Sequence, residues 1–265
     1  MSVESGRLTI VHISDVHATE DHALYGSIDG IDRLARLGRY LAEVGVTPEA
    51  IIVSGDLAER QNPGIYPALR DAFARLEQQA GAPVLTVLGN HDDPVASRVL
   101  RGHETSHVRC VMLSGLRVLL LDSHTRELGV PQREWLRTQL AAPAPLGTVI
   151  AVHHAPLGSP MPSLARAGLT DAPEFLDIVE GSDVRLVLAG HFHHALSATV
   201  RGVPISVGPS LSYHQVMDAG PEYVSGHDLP MFSLVHLLPG GVSTTAVALQ
   251  TPAPLFTSPL TIPTR

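Results

Sequence analysis

Asp15-Val16-His17, Gly55-Asp56, Gly89-Asn90-His91-Asp92, His153-His154 and Gly190-His191-Phe192-His193 are five short segments, each placing carboxylate, amide or imidazole side chains after an apolar run. Asp and His meet such spacings by chance, so one pair says little, whereas five in this order point to a site that holds two metal ions. The donors are hard oxygens and imidazoles with no thiolate, a set that suits Mn²⁺, Fe or Zn²⁺. Asp15, His17, Asp56 and His193 make one ligand group, and Asp56 bridges to a second completed by Asn90, His153 and His191. Two ions about 3.5–4 Å apart can hold a hydroxide between them and stabilise both the attacking and the departing oxygen of an in-line displacement at phosphorus. Two Asp ligands leave such a pair with excess positive charge, which draws an anionic phosphate ester, and the neutral Asn90 preserves that excess.

The segments need a scaffold that brings them together, and the apolar runs supply one. Leu8-Thr9-Ile10-Val11-His12-Ile13 reads as a buried strand ending at Asp15. An amphipathic helix follows, with Leu34, Leu37, Leu41 and Val44 on one face. Ala50-Ile51-Ile52-Val53 is a second strand opening into Asp56. A second helix carries Leu69, Phe73, Leu76 and Ala80, and Pro83 to Leu88 form a third strand that ends in Asn90. Runs at 116–122, 148–153 and 184–189 continue the pattern, with a short helix opened by Pro131 between the first two. Strands alternating with helices imply a largely parallel sheet, and ligands of such sheets gather at the carboxyl ends of the strands. After residue 194 the runs 195–200, 203–208, 231–238 and 242–249 are broken by Gly and Pro and read as antiparallel strands of a second sheet. The expected architecture is an α/β fold, a four-layer α/β/β/α sandwich of two mixed sheets flanked by helices. Residues 1–250 form one domain in this reading, and 251–265 are an irregular, proline-rich tail. His154, beside a ligand on an extended segment, is expected to point away from the site and to pack or support it rather than coordinate.

Composition narrows the function. Hydrophobic residues make up 44% of the 265, enough for a large core, and 23 Gly and 21 Pro indicate many tight turns. A net charge of −8 with only 18 Lys and Arg offers no basic stripe for a nucleic-acid backbone, so stable nucleic-acid binding is not expected. The single cysteine, Cys110, allows no intrachain disulfide and reads as a small buried hydrophobe beside Val111 and Met112. With no secretory or membrane-spanning run, the expectation is a soluble cytoplasmic protein.

The order D-x-H, G-D, G-N-H-D, a His after a strand and G-H-x-H resembles the signature of the calcineurin-like metallophosphoesterases and covers residues 15–193. Within that superfamily the chain looks most like the bacterial class III cyclic nucleotide phosphodiesterases, through Leu24-Tyr25-Gly26, Gly89-Asn90-His91-Asp92-Asp93 and Leu188-Ala189-Gly190-His191-Phe192-His193. The resemblance implies the same seven ligands and two ions bridged by Asp56, as Fe and Mn, two Mn, or Zn. It implies hydrolysis of 3′,5′-cyclic nucleotides, cAMP first, to 5′-monophosphates, and a homodimer. It gives His91 a catalytic role: with Asn90 it meets the phosphate, and it protonates the leaving alkoxide, with Asp92 as its orienting partner. Ala155 stands where relatives often carry a second proline, a departure without consequence for metal binding. Glu59 occupies the position at which purple acid phosphatases place a metal-binding tyrosine, and Leu88 and Asp92 depart from the Arg-Gly-Asn-His-Glu of protein phosphatases, which disfavours both branches. Bacterial glycerophosphodiester hydrolases share the motifs and are the alternative. A non-catalytic metal-binding protein is a third reading, opposed by His91 and by coordination positions left for water and phosphate. Tyr25 either stacks on a base or covers the metal loop. The segment from Pro209 to His214, with Tyr213, either reaches the substrate or is an ordinary loop.

Overall fold

The computed structural model describes residues 7–216, 223–251 and 253–258. Its first half is β1 (Leu8–Ile13), α1 (Gly30–Glu43), β2 (Ala50–Ser54), α2 (Tyr66–Ala80) and β3 (Val84–Val87). The three strands pair in parallel. Asp29 starts α1 by accepting the backbone N–H of Asp32 at 3.0 Å, so one of the donors that a helix N-terminus leaves unpaired is satisfied. After β3 the chain leaves this sheet. The hairpin β4 (Arg109–Leu113) and β5 (Leu116–Leu120) begins a second one, continued by α3 (Gly129–Leu140), β6 (Thr148–Ala151), α4 (Ala172–Val179) and β7 (Val184–Ala189). The remaining strands are β8 (Leu196–Val200), β9 (Val203–Val207), β10 (His214–Val216), β11 (Ser225–His227), β12 (Met231–Leu238) and β13 (Gly241–Ala248).

β8, β9, β12 and β13 do not form a sheet of their own, which corrects the expectation from the sequence; only β10 and β11 pair apart, as a two-stranded antiparallel ribbon. β9 adds in parallel to β7 and carries β8 at the edge, giving the order β4-β5-β6-β7-β9-β8. β12 pairs antiparallel with β1 and carries β13, giving β13-β12-β1-β2-β3. The motif-bearing strands are thereby divided between two mixed sheets. Alternation along each strand then builds the four layers. Val11, Ile13, Ile51 and Val53 face α1 and α2, whereas Ile10, Ala50 and Ile52 meet Val118, Leu120, Val149 and Leu188 between the sheets. Leu119, Ile150 and Val187 face α3 and α4 on the far side. Helix α4 was not anticipated, because its eight residues are too few for a clear apolar period.

Cys110 is exposed on the edge strand β4, not buried: the pleat turns Val111 inward and sends its neighbours out. Residues 253–258 carry no helix or strand, and the rest of the expected tail beyond them lies outside the described residues. Among the described residues no helix is long and apolar enough to cross a membrane.

Candidate metal centre

All five motifs lie just beyond the C-terminal ends of β1, β2, β3, β6 and β7, where the two sheets meet. The loops are tied to one another by backbone. Asp15 N–H donates to Gly55 O and His17 N–H to Asp56 O, both at 3.0 Å, and Gly190 N–H donates to His153 O at 3.0 Å. Asp15, His17, Asp56, His191 and His193 all hold a left-handed backbone, with φ of 55°, 49°, 49°, 74° and 55°. That region is disfavoured for residues with a Cβ, and a concentration of it at one place marks a site where the surrounding structure enforces the geometry. Two motif glycines are fixed by proximity. A Cβ on Gly89 would stand 2.2 Å from Asp56 Oδ1, and one on Gly190 would stand 1.8 Å from Ser14 Oγ.

Asp15, His17, Asp56 and His193 bring one ligand atom each to within 4.8 Å of one another, the group expected from the sequence, and all four are buried. His17 Nε2 lies 3.1 Å from His193 Nε2, and His193 Nε2 lies 3.2 Å from Asp15 Oδ1. The other ring nitrogens are committed elsewhere: His193 Nδ1–H donates to Tyr213 O at 3.0 Å, and His17 Nδ1–H to Glu59 Oε2 at 2.8 Å. With each Nδ1–H so engaged, both Nε2 atoms converge on two carboxylates. On the other side of Asp56, His153 Nδ1–H donates to Ser54 O at 2.7 Å. Its Nε2 meets Asp56 Oδ2 at 3.3 Å and Asn90 Oδ1 at 3.2 Å, while His191 packs edge-on with ring centroids 5.1 Å apart.

The electrostatics of the pocket call for cations. Burial works against ionised carboxylates, yet the histidines around them, His193 beside Asp15 and His153 beside Asp56, hold both below the usual range. Burial likewise opposes charge on His153, but Asp56 and Asp15 push it up to about 9. Burial and the charge of His153 lower His191 to about 3, which keeps its imidazole neutral and fit to ligate. A cluster of acceptors that raises the proton affinity of its own histidine is a cluster that a divalent ion would satisfy better, so the donor set fits a metal pair.

His91 sits at the rim, partly exposed, with Nε2 4.0 Å from Asp56 Oδ2. Asp92 does not orient its ring. The Asp92 carboxylate is buried below and accepts the backbone N–H groups of Gly89, Leu57 and Ala58 and the hydroxyl of Tyr66, at 2.8–3.1 Å, so its capacity is spent on holding two motif loops together. Glu59 takes the orienting place, with Oε1 accepting from His91 Nδ1 at 2.9 Å while Oε2 serves His17. Burial disfavours a charged His91, but the hydrogen bond it donates to Glu59 and the charge of Asp56 outweigh it and raise its pKa. Glu59 was legible only as the residue three after Asp56. His154 also departs from expectation, because β6 stops at Ala151 and the alternation behind the expectation stops with it. Its ring lies 4.5 Å from that of His191, Nδ1 meets Ser123 Oγ at 3.1 Å, and Nε2 is buried without a partner.

The sequence profile of the family described as calcineurin-like phosphoesterase matches residues 8–195. The chain belongs to that family. As a calcineurin-like phosphoesterase it is 36% identical over 251 residues to a cAMP/cGMP dual specificity phosphodiesterase of Mycobacterium tuberculosis, covering 91% of this chain and 79% of the relative. It is 37% identical over 215 residues to a probable cyclic nucleotide phosphodiesterase of Rhodococcus erythropolis, covering 78% and 71%. The fold of this phosphoesterase matches that of a dimetal phosphatase from Danio rerio with a TM-score of 0.63, at 12% identity, over 92% of this chain and 96% of that one.

Proposed function

We propose that this phosphoesterase is a two-metal phosphodiesterase that opens 3′,5′-cyclic nucleotides, cAMP first, to 5′-monophosphates. Asp15, His17, Asp56 and His193 hold one ion; Asp56, Asn90, His153 and His191 hold the other. The ions are Fe and Mn, two Mn, or Zn. Bound there, they supply a nucleophile derived from water at neutral pH and Lewis-acid polarisation of the phosphoryl group. The chain's own residues do the rest. Asn90 and His91 face the phosphate from the rim, and His91, protonated and held by Glu59, hands its Nε2 proton to the departing ribose 3′ oxygen. Cleavage of one P–O bond opens the ring, so a single acid suffices.

The observation that carries this reading is His91, partly exposed beside Asp56 with its proton affinity raised. A leaving alkoxide needs such an acid and a structural metal site does not. Likeness to the dual specificity phosphodiesterase over nine-tenths of the chain supports the choice of cyclic nucleotides among diesters. The test is turnover by Mn²⁺-loaded protein of 3′,5′-cAMP, glycerophosphoethanolamine, single-stranded DNA and a phosphomonoester side by side. Efficient 5′-AMP formation is expected, and preference for the glycerol diester would overturn the substrate. His91→Ala should cut cAMP turnover by about 10²–10⁴ with metal content retained; loss of the metal instead would make His91 a ligand.

A further inference from the structure

Beside the metal centre lies a cavity of about 380 Å³, at the small end of the range that holds compact organic ligands. Tyr25, Tyr213, Gln215 and Asp228 are among its walls. It is contiguous with the centre through one side chain, since the Tyr213 ring lies 4.1 Å from the His193 ring and 5.9 Å from that of His17. Tyr25 meets Tyr213 edge to face at 5.4 Å and 78° and is itself 75% exposed, an aromatic surface that the fold does not cover. Gln215 is anchored by its backbone, whose N–H donates to His193 O at 3.0 Å, yet its side-chain Oε1 is buried with no hydrogen-bond partner. A buried carboxamide oxygen without a partner is costly, and because the Gln215 side chain lines the cavity, a turn of its terminal carboxamide would let a ligand's donor satisfy it.

We infer that this cavity is a nucleobase subsite, in which the base stands against Tyr25 and Tyr213 and the Gln215 carboxamide hydrogen-bonds to its edge. The inference rests on the cyclic-nucleotide reading and assigns residues that reading leaves open. The walls ask for a flat, neutral group with hydrogen-bonding capacity at its rim. Asp228 does not make the cavity a cation site, because its carboxylate is paired with the Arg33 guanidinium, which also donates to Leu211 O at 3.2 Å. Two tyrosines set at 78° form a corner, whereas quaternary ammonium groups are held inside cages of aromatic faces. Because base-to-aromatic contact tolerates every base, the tyrosines would supply affinity and Gln215 the preference among bases.

Calorimetric titration of Mn²⁺-loaded protein with 5′-AMP and with ribose 5-phosphate isolates the base, since both ligands carry the same phosphate. The wild type should bind 5′-AMP roughly tenfold or more tightly than the sugar phosphate. Tyr25→Ala should erase most of that ratio and Tyr25→Phe should keep it, so a misfolded Ala variant is recognised by its loss of ribose 5-phosphate binding as well. Gln215→Ala should lower the ratio and narrow the difference between 5′-AMP and 5′-CMP. Equal affinity for the two ligands in the wild type, or an unchanged ratio in Tyr25→Ala, would overturn the subsite. So would tight binding of glycerophosphocholine that Tyr25→Ala abolishes, which would give the cavity to a quaternary ammonium group. Because the readout is binding, absence of cAMP turnover with the ratio intact would refute the proposed reaction alone, and cAMP turnover with the ratio unchanged in Tyr25→Ala would refute the subsite alone.

Discussion

Glu59 offers one carboxylate oxygen to each of two imidazoles, His17 inside the buried ligand group and His91 at its rim. Its own acidity is increased because both histidines stabilise the carboxylate, burial notwithstanding. Glu59→Gln keeps the shape but exchanges one acceptor oxygen for a donor, so it can serve only one ring. Partners of this kind typically matter by about 10- to 100-fold. The expected outcome is a fall of that order in kcat with metal content largely kept, read by steady-state kinetics alongside elemental analysis, and a shift of the alkaline limb of the pH–rate profile to lower pH, because His91 must be protonated to act and Glu59 raises its pKa. No change in that limb would leave Glu59 a structural tie. The seven proposed ligand positions stand out in the sequence because metal binding demands particular side chains at strand ends. Glu59 could not, because a carboxylate in an acidic chain carries no mark of what it faces, and the same ambiguity let Asp92 stand in for it. Asp92 in fact looks inward, to Gly89 and Tyr66.

Elements were legible where their period was long. The three parallel strands of the first half and the helices between them follow from apolar runs and amphipathic faces, and the structure has them within a few residues. Sheet membership was not legible, because crossover rules fix handedness and not which of two sheets receives the next strand. The segment after β3 carries the chain from one sheet to the other, and it is braced by a neutral histidine relay. His107 Nε2–H donates to Pro94 O at 3.0 Å, His103 Nδ1–H donates to His107 Nδ1 at 2.8 Å, and His103 Nε2 accepts from the Thr86 hydroxyl at 2.7 Å and from Arg109 at 3.1 Å. Burial first, then the charge of Arg109, lower the His103 pKa to about 3. An unfolded chain binds a proton there from about pH 6.5 downward and the folded chain does not, so this contribution to stability is intact above pH 6.5 and is lost as pH falls toward 3. The loss is at most about 1.4 kcal/mol per pH unit. Urea unfolding of the metal-saturated protein between pH 7.5 and 5.5 should show falling stability, with a shallower fall in His103→Gln. An equal slope in the variant would remove His103 from the account.

Across the whole molecule the proposed ligands divide between the sheets. Asp15, His17, Asp56 and Asn90 follow strands of one, and His153, His191 and His193 follow strands of the other. Metal binding would therefore clamp the two sheets together at one end, and chelation should lower Tm by removing a stabilisation that grows with the logarithm of metal affinity, about 2.7 kcal/mol per site for an ion present at a hundred times its Kd. Uptake of metal near pH 7 should also release protons, because the ion displaces the one that His153 holds in the company of Asp56 and Asp15. A pH indicator in weak buffer would register that release, and its absence would mean that His153 is neutral before metal arrives. The antiparallel pairing of β1 with β12 has a consequence of another kind. During synthesis β1 leaves the ribosome some 220 residues ahead of the strand that covers its edge, so Leu8–Ile13, wholly apolar on both faces but for Thr9 and His12, must wait with that edge open. The nascent chain is thus exposed to strand-to-strand aggregation until residues 231–238 have been made, and a ribosome stalled before residue 231 would release a chain whose first strand lacks its final neighbour.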